Sequence, residues 1–347
     1  MKRHSRTSLK ALAAHLDLSP TTVSRALGGF PEVAESTRQR VQEAAKALNY
    51  NPSLSATSLA TGRSRIIGHV IPVFKHGVID PHFADALAGA SVACQEAGYD
   101  LLMRMATMAE EEDAYRTLQR RQRVDGVVLH EPAMVEPRIG LLQEIGLPFI
   151  VHGRSAQEDG YDWLDVDNRG SFLTATRHLI SLGHRRIALI NAPERMAFAA
   201  RRRNGYEDAM AEAGLQSHAV QTAMIEPNGY TAVLEALSSE GDKPTAFLFS
   251  SILPALGGLR ALAEMSLSVP DDVSVMAFDD QLSFLTGGPE AGSSFDITAM
   301  RSSLHDAGRE VVRLLVDRIE NPTQPPKGSH WKAEFHNGST AGPPPKS

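Results

Sequence analysis

Cysteine is nearly missing from this chain, with Cys94 the only one in 347 residues. That excludes an internal disulfide framework and suits a reducing compartment. Cys94 itself reads as a small buried side chain on a helix. Long apolar runs are missing as well. The longest are strand-sized, far below the roughly 20 residues that a membrane span needs, so no membrane partner is expected. The N-terminus is basic but has no apolar core behind it, so it does not read as a signal peptide, and a cytoplasmic protein is expected. Phosphate-binding glycine loops, a Gly-x-Ser-x-Gly elbow and metal-spaced Cys/His sets are absent too. No enzyme is therefore expected, and no cofactor or metal. His178 and His184, near one helix end, read as surface or capping residues.

What is present is a globular composition, 42% apolar and 22% charged, typical of a soluble fold. At this length two or three domains are expected. The net charge of −6 is unevenly spread. Residues 1–65 hold ten Lys and Arg against four acids, a balance of +6, which leaves −12 for the remainder. A basic head on an acidic chain is an electrostatic footprint for a polyanion.

The head reads as helices. Ser8 precedes the periodic residues Leu9, Leu12, Ala13 and Leu16, and so caps a first helix. Ser19-Pro20 starts a second, with serine as cap and proline at the first helical position. Val23 and Leu27 form its inner face. Thr21, Thr22, Ser24 and Arg25 point outward, and Gly28-Gly29 ends it. A third helix, from about Glu35 to Leu48, places Val41, Ala44, Ala45 and Leu48 inward. This layout fits a helix-turn-helix whose second helix enters the major groove, and it also fits an ordinary helical hairpin. Short hydroxyls at that helix's start suit phosphate or base edges, and Arg25 can reach guanine O6 and N7.

The run Leu9-Lys10-Ala11-Leu12-Ala13, followed by Leu18-Ser19-Pro20-Thr21-Thr22-Val23-Ser24-Arg25-Ala26-Leu27, resembles the headpiece of the LacI/GalR repressor family. So do Thr37-Arg38, Val41, Ala44-Ala45 and Leu48-Asn49-Tyr50-Asn51-Pro52. The likeness continues through Ala56, Leu59-Ala60 and Gly62-Arg63-Ser64, then less densely to near residue 340. The resemblance implies a double-stranded DNA operator as partner. It puts Pro20, Thr21 and Arg25 at base-reading positions, with Thr22 and Ser24 mainly at phosphate and Ser19 beside them. It makes 53–61 a hinge helix within a DNA-binding headpiece of residues 7–61. Leu59, one turn after Ala56, would wedge into the minor groove there; Leu59 as a plain linker residue is the alternative. Ala34 departs from the family, which usually has a capping serine at that place.

From Arg65 onward, strand-like runs alternate with helical patterns. The runs fall at Ile66–Val73, Tyr99–Met105, Gly126–His130, Pro148–His152, Trp163–Val166, Arg186–Asn191, Val220–Ile225, Thr245–Ser250 and Val273–Phe278. Such alternation predicts parallel sheets with helices on both faces. It is too long for one sheet, so two α/β lobes are expected, with a late helix, about Ser302 to Ile319, returning to the first. The family resemblance implies the same thing: an α/β chain with an all-α head and a two-lobed, periplasmic-binding-protein-like body over 65–340. Residues 341–347, with Pro343-Pro344-Pro345, read as a disordered tail. No leucine heptads follow the body, so a homodimer is expected rather than a coiled-coil tetramer.

In open α/β sheets, ligands bind beyond the carboxyl ends of the strands. That singles out Asp80, His82 and Phe83, then His130-Glu131, His152-Gly153-Arg154 and Asp167-Asn168. It also singles out Arg201-Arg202-Arg203, Ser250-Ser251 and Asp279-Asp280. The resemblance places Arg202 and Asp279 at effector-contacting positions, while Arg201 and Arg203 read as solvated. Two departures bear on the effector. Ser251-Ile252 stands where relatives usually have Asn-Asp, so the hydroxyl-binding set differs. His152-Gly153-Arg154 resembles a subgroup tied to uptake of α-glucosides such as maltose, sucrose and trehalose. Asn337 replaces the usual arginine of the closing strand. The expected effector set is Asp80, Phe83, His152, Arg154, Arg202, Ser251 and Asp279. A sugar-relieved repressor is expected; a corepressor-dependent or activating regulator of a non-sugar metabolite is the alternative.

Overall fold

The computed structural model describes residues 8–28, 30–48, 50, 62–72, 81–282, 285 and 296–345. Three helices form the head: α1 (Leu9–Leu16), α2 (Pro20–Leu27) and α3 (Glu35–Ala47). Ser8 Oγ accepts from Ala11 N at 3.2 Å and starts α1. Asp17, at a left-handed φ of +55°, ends it, a backbone that a short polar side chain tolerates. Ser19 Oγ accepts from Thr22 N at 3.0 Å, and Pro20 follows at the helix start, where an N–H has no partner to lose. At α3 the capping residue is Ala34, which makes no side-chain cap bond. Arg38 ties down this end instead, pairing with Glu35 at 2.8 Å and donating to Phe30 O at 3.1 Å. Leu12, Val23 and Val41, one from each helix, meet in a single buried cluster. The expected hinge segment 53–61, with Ala56 and Leu59, lies outside the described residues, as does Asp80.

The body contains two six-stranded sheets. The first takes β1 (Ile66–Pro72), β2 (Asp100–Ala106), β3 (Gly126–His130), β4 (Phe149–His152), β5 (Asp162–Val166) and, from far along the chain, β11 (Gly328–Trp331). Their order is β11-β5-β4-β3-β1-β2, and every pairing is parallel. The second takes β6 (Ile187–Asn191), β7 (His218–Gln221), β8 (Ala246–Phe249), β9 (Ser274–Asp279), β10 (Thr298–Arg301) and β12 (Glu334–His336). Its order is β12-β10-β9-β8-β6-β7, with only β10 and β12 antiparallel.

Both faces of each sheet are covered, as parallel sheets require. Successive residues of β3 show this: Val127 packs with Tyr115 and Leu142 on one face, Val128 with Val311 and Leu315 on the other. In the second lobe, Phe247 and Phe249 face Leu262, while Leu248 faces Phe172 and Tyr206. The chain passes between lobes between Val166 and Asn168, between Arg301 and Leu304, and between Trp331 and Glu334.

The late helix, Leu304–Glu320, does return to the first lobe, where it lies along helix Pro81–Ala97. The two approach so closely that a Cβ on Gly89 would stand 1.8 Å from His305 O, and one on Gly308 1.9 Å from Ala86 O. Only glycine fits at either crossing. Cys94 is buried nearby.

Some elements differ from the sequence pattern. The strand expected over 220–225 lies at His218–Gln221, because pairing with β6 stops at Asn191↔Gln221 and Ile225 is already the residue before helix Glu226–Ser238. The sequence pattern does not mark β10 or β11 as strands; β11, Gly-Ser-His-Trp, has no apolar run. His184 is not a surface residue but fully buried. Its Nδ1 lies 2.9 Å from Thr245 Oγ1 and its Nε2 2.9 Å from Gly342 O. The expected disordered tail is likewise anchored at its start, where Gly342 N donates to Ser274 Oγ at 3.0 Å. Among the described residues no helix is long and apolar enough to cross a membrane.

Candidate functional site

Two surfaces carry the polar groups that the sequence singles out. On the head, burial of Val23 and Ala26 turns the opposite face of α2 outward. Ser19, Pro20, Thr21 and Arg25 are exposed there, with Thr22 and Ser24 half-buried. Arg25 is held only loosely, 3.7 Å from Glu32. The hydroxyls of Ser19 and Thr22 lie 2.8 Å apart. A short helix start rich in hydroxyls, with one exposed arginine a turn later, has the groups that can contact phosphates and base edges.

The second surface is a cleft between the lobes, beyond the carboxyl ends of β3, β4, β5 and β9. About 130 Å³ of it is reachable by the centres of water molecules, well above the ~10–15 Å³ needed to admit a single water. Its aromatic lining comes from Phe83 of the first lobe, Phe198 and Phe278 of the second, and Trp331 at a crossing. Flat apolar rings set among fixed polar groups suit a ligand with alternating apolar and hydroxyl faces.

A buried polar chain runs along one wall and through the first crossing. Arg154 Nε donates to Asp165 Oδ2 at 2.9 Å, and Asn168 Nδ2 donates to Asp165 Oδ1 at 3.1 Å. Asn168 Oδ1 accepts from Arg202 Nε at 2.8 Å, and Arg202 also donates to Ser250 O. The guanidinium of Arg202 stands 3.9 Å over the Phe278 ring and 4.8 Å over that of Phe198. Burial pulls its pKa down to about 10, opposed by the carboxylates of Asp280 and Asp165. Burial raises the pKa of Asp165, against the hydrogen bond from Arg154. The chain joins the first-lobe loop to the second lobe beside the first crossing between the lobes.

Next to it in the first lobe stands a wall of imidazoles. His130 and His152 end β3 and β4 as register partners, with their Nδ1 atoms 3.0 Å apart. His69 of β1 stacks on His130 with ring centroids 5.2 Å apart, and Phe83 meets His130 edge-on at 5.1 Å. Burial lowers all three histidines, His69 and His152 to about 4, with His152 adding a smaller push on both neighbours. At neutral pH the wall carries no charge. Among the described residues no group of three His, Cys, Asp or Glu could hold a metal ion.

Of the effector-facing residues expected from sequence, Phe83, His152, Arg154 and Arg202 line this cleft. Asp279 does not: it accepts from Arg301 Nε at 3.0 Å and from Gln281 N at 2.9 Å. Its neighbour Asp280 takes the wall, since adjacent residues of an extended chain face opposite ways. Ser251 is fully buried off the lining, with Oγ 2.6 Å from His82 Nε2. Arg201 is not solvated. It is buried and reaches the first lobe, donating to Arg154 O at 2.7 Å and Ser155 O at 2.8 Å. Arg203 pairs with Glu194 at 2.9 Å and Glu207 at 2.7 Å. Sequence reasoning missed His69 and Asp165. A polar residue inside each otherwise apolar strand was the available signal.

Residues 8–53 match the family of bacterial regulatory proteins, lacI family, and residues 176–340 match the periplasmic binding protein-like domain. The chain is 40% identical over 342 residues to the HTH-type transcriptional regulator AglR of Rhizobium meliloti (strain 1021), covering 97% of this chain and 95% of that one. Its fold is similar to that of the transcriptional regulator CelR in complex with cellobiose, at a TM-score of 0.69 and 28% identity over 96% of this chain and all of that one. The lac repressor dimer bound to operator and the anti-inducer ONPF has the same fold at a TM-score of 0.80, with 22% identity over 97% of this chain and 99% of that one.

Proposed function

The chain belongs to the LacI family of bacterial regulatory proteins and is a transcriptional regulator, not an enzyme; on that premise we propose that it represses genes of sugar uptake and catabolism. It binds a palindromic operator as a cytoplasmic homodimer and lets go when a sugar occupies the interlobe cleft. Pro20, Thr21 and Arg25 read bases. Thr22 and Ser24 hold phosphate, with Ser19 beside them on the DNA, and Leu59, with Ala56 a turn before it, wedges into the minor groove. Asp80, Phe83, His152, Arg154 and Arg202 face the effector, and Ser251 and Asp279 support the same site, with Asp280 on its wall.

The observation that carries this reading is the buried chain Arg154–Asp165–Asn168–Arg202. It lines the cleft and crosses between the lobes, so a ligand that rearranges it changes the angle at which they sit. The cellobiose bound by CelR supports a disaccharide as effector, and His152-Gly153-Arg154 favours an α-glucoside.

The test is operator binding by the full chain on fragments selected from its own genome, with and without maltose, sucrose, trehalose or cellobiose. One sugar should weaken binding by about 5–150-fold, the usual range of such coupling. Indifference to all four removes the sugar assignment, and tighter binding would make the chain corepressor-dependent. Leu59→Ala should reduce operator bending in a gel-shift assay; unchanged bending removes the wedge.

A further inference from the structure

We propose that His130 and His152 act as one tautomer-coupled reader on the first-lobe wall, presenting one Nε2 donor and one Nε2 acceptor to an uncharged polyhydroxyl ligand. The inference rests on the cleft being the effector site and makes these two residues its specificity determinants.

The geometry leaves little freedom. The rings sit on adjacent parallel strands at a paired register, with centroids 5.0 Å apart and planes at 75°. Their Nδ1 atoms are 3.0 Å apart. Two protons cannot share that gap, and two lone pairs would repel across it. One ring therefore carries its proton on Nδ1 and donates to the bare Nδ1 of the other. A neutral imidazole has a single N–H, so the donating ring has a bare Nε2 and the accepting ring has Nε2–H. Transfer across the gap alone would leave one ring anionic and the other cationic, so the roles exchange only when a second proton passes from one Nε2 to the other; either assignment gives the same sum. His130 Nε2 is buried with no hydrogen-bond partner, and both rings line the cleft.

A sugar hydroxyl is both donor and acceptor, so a neighbouring pair of hydroxyls fits one donor and one acceptor in either order. A phosphate or carboxylate needs two donors, which only a charged pair supplies. The surroundings oppose that charge. His69 and Phe83 pack against His130, and the Arg138 guanidinium lies behind it, donating to His130 O at 3.3 Å. The cations on the cleft are already engaged, Arg154 by Asp165 and Arg202 by Asn168 and Ser250 O. Asp165 and Asp280 on the lining further disfavour an anion.

The pair is tested first without any ligand. In full-length protein labelled with 15N-histidine, long-range proton–nitrogen correlations at pH 7 should show one Nδ1–H and one Nε2–H ring, assigned with His152→Gln. The same tautomer in both rings, or a charged ring, overturns the proposal. Calorimetry then compares the wild-type chain, His130→Gln and His152→Gln with maltose, sucrose, trehalose, cellobiose and glucose 6-phosphate. A neutral disaccharide should bind the wild type and lose about ten-fold or more in each variant, and glucose 6-phosphate should not bind. Equal binding of that disaccharide by all three proteins overturns the proposal and leaves the cleft reading standing. Absence of sugar binding to the wild type removes the cleft reading and the ligand assigned to the pair. The tautomer result is independent of that outcome.

Discussion

His82 Nε2 lies 2.6 Å from Ser251 Oγ, joining the two lobes across the cleft. His82 also stands 3.4 Å from Asp280 Oδ2, and Ser251 Oγ accepts from Leu253 N at 3.3 Å at the start of helix Ile252–Glu264. Arg201 makes a second bridge through the carbonyls of Arg154 and Ser155. The arrangement of the lobes is thus held by polar contacts beside the place where a ligand would enter. Ser251→Ala removes the bridge to His82 together with the bond from Leu253 N and should lower stability by about 1–2 kcal/mol, at the usual net worth of each hydrogen bond. Urea unfolding measures it; an unchanged midpoint would show that the bridge is not contributing.

Arg202→Lys keeps the charge but loses the planar fork that reaches Asn168 and Ser250 O together, and much of its contact with the Phe278 ring. Leaving one buried acceptor unmatched costs about 1–3 kcal/mol. Chemical denaturation should show that loss. Asn168→Ala should reproduce part of it, since it removes the acceptor for the same Nε, and an additive double variant would argue against a shared network.

Stability should fall on acidification. Folded His69 and His152 take a proton only near pH 4, whereas an unfolded imidazole does so near its ordinary value of 6.5. Between these values the unfolded chain binds more protons, so stability is full above pH 6.5 and declines as pH drops through that window. For His69 alone the loss at pH 5 is on the order of 2 kcal/mol. Both its ring nitrogens are buried without a hydrogen-bond partner, so His69→Leu should be neutral or stabilising at pH 7. Thermal melts of the two proteins should diverge as the pH is lowered; parallel curves would discredit this account.

Ala34→Ser should strengthen the start of α3. A serine there can accept from the amides of Ser36 or Thr37, at a gain of about 1 kcal/mol. Slower hydrogen exchange at those two amides is the expected sign.

Arg25→Ala should weaken operator binding by about 10–100-fold, corresponding to one good base contact, with no change in the melting of the body. Binding should also weaken steeply with salt, because the head neutralises phosphates. Flat salt dependence would count against a DNA-facing α2.

Local chemistry made the head legible: Ser8, Ser19 and Pro20 mark helix starts, and the period of Leu12, Val23 and Val41 marks its core. Most body strands announced themselves as apolar runs between turns. What sequence could not display was adjacency across the sheet. His69, His130 and His152 are far apart in the chain and become neighbours only through the order β4-β3-β1. The exchange of Asp279 for Asp280 on the cleft wall hangs on a single residue of strand alternation. Short edge strands such as β11 gain their identity from the partner they join, here β5.

The crossings between the lobes also set an order of maturation. Apart from β12, the second lobe is one continuous stretch that ends with β10 at Arg301. The first lobe begins earlier in the chain, yet its core stays open until helix Leu304–Glu320 arrives to cover Ile67, Val128 and Ile150. Synthesis runs from the N-terminus at ~5–20 residues per second, so the lobe written second is the first able to close. A ribosome-arrested chain that exposes residues only as far as 302 should protect its second lobe from protease while the first is still cut. The cleft between the lobes, lined from both of them, is then among the last features of the newborn chain to form.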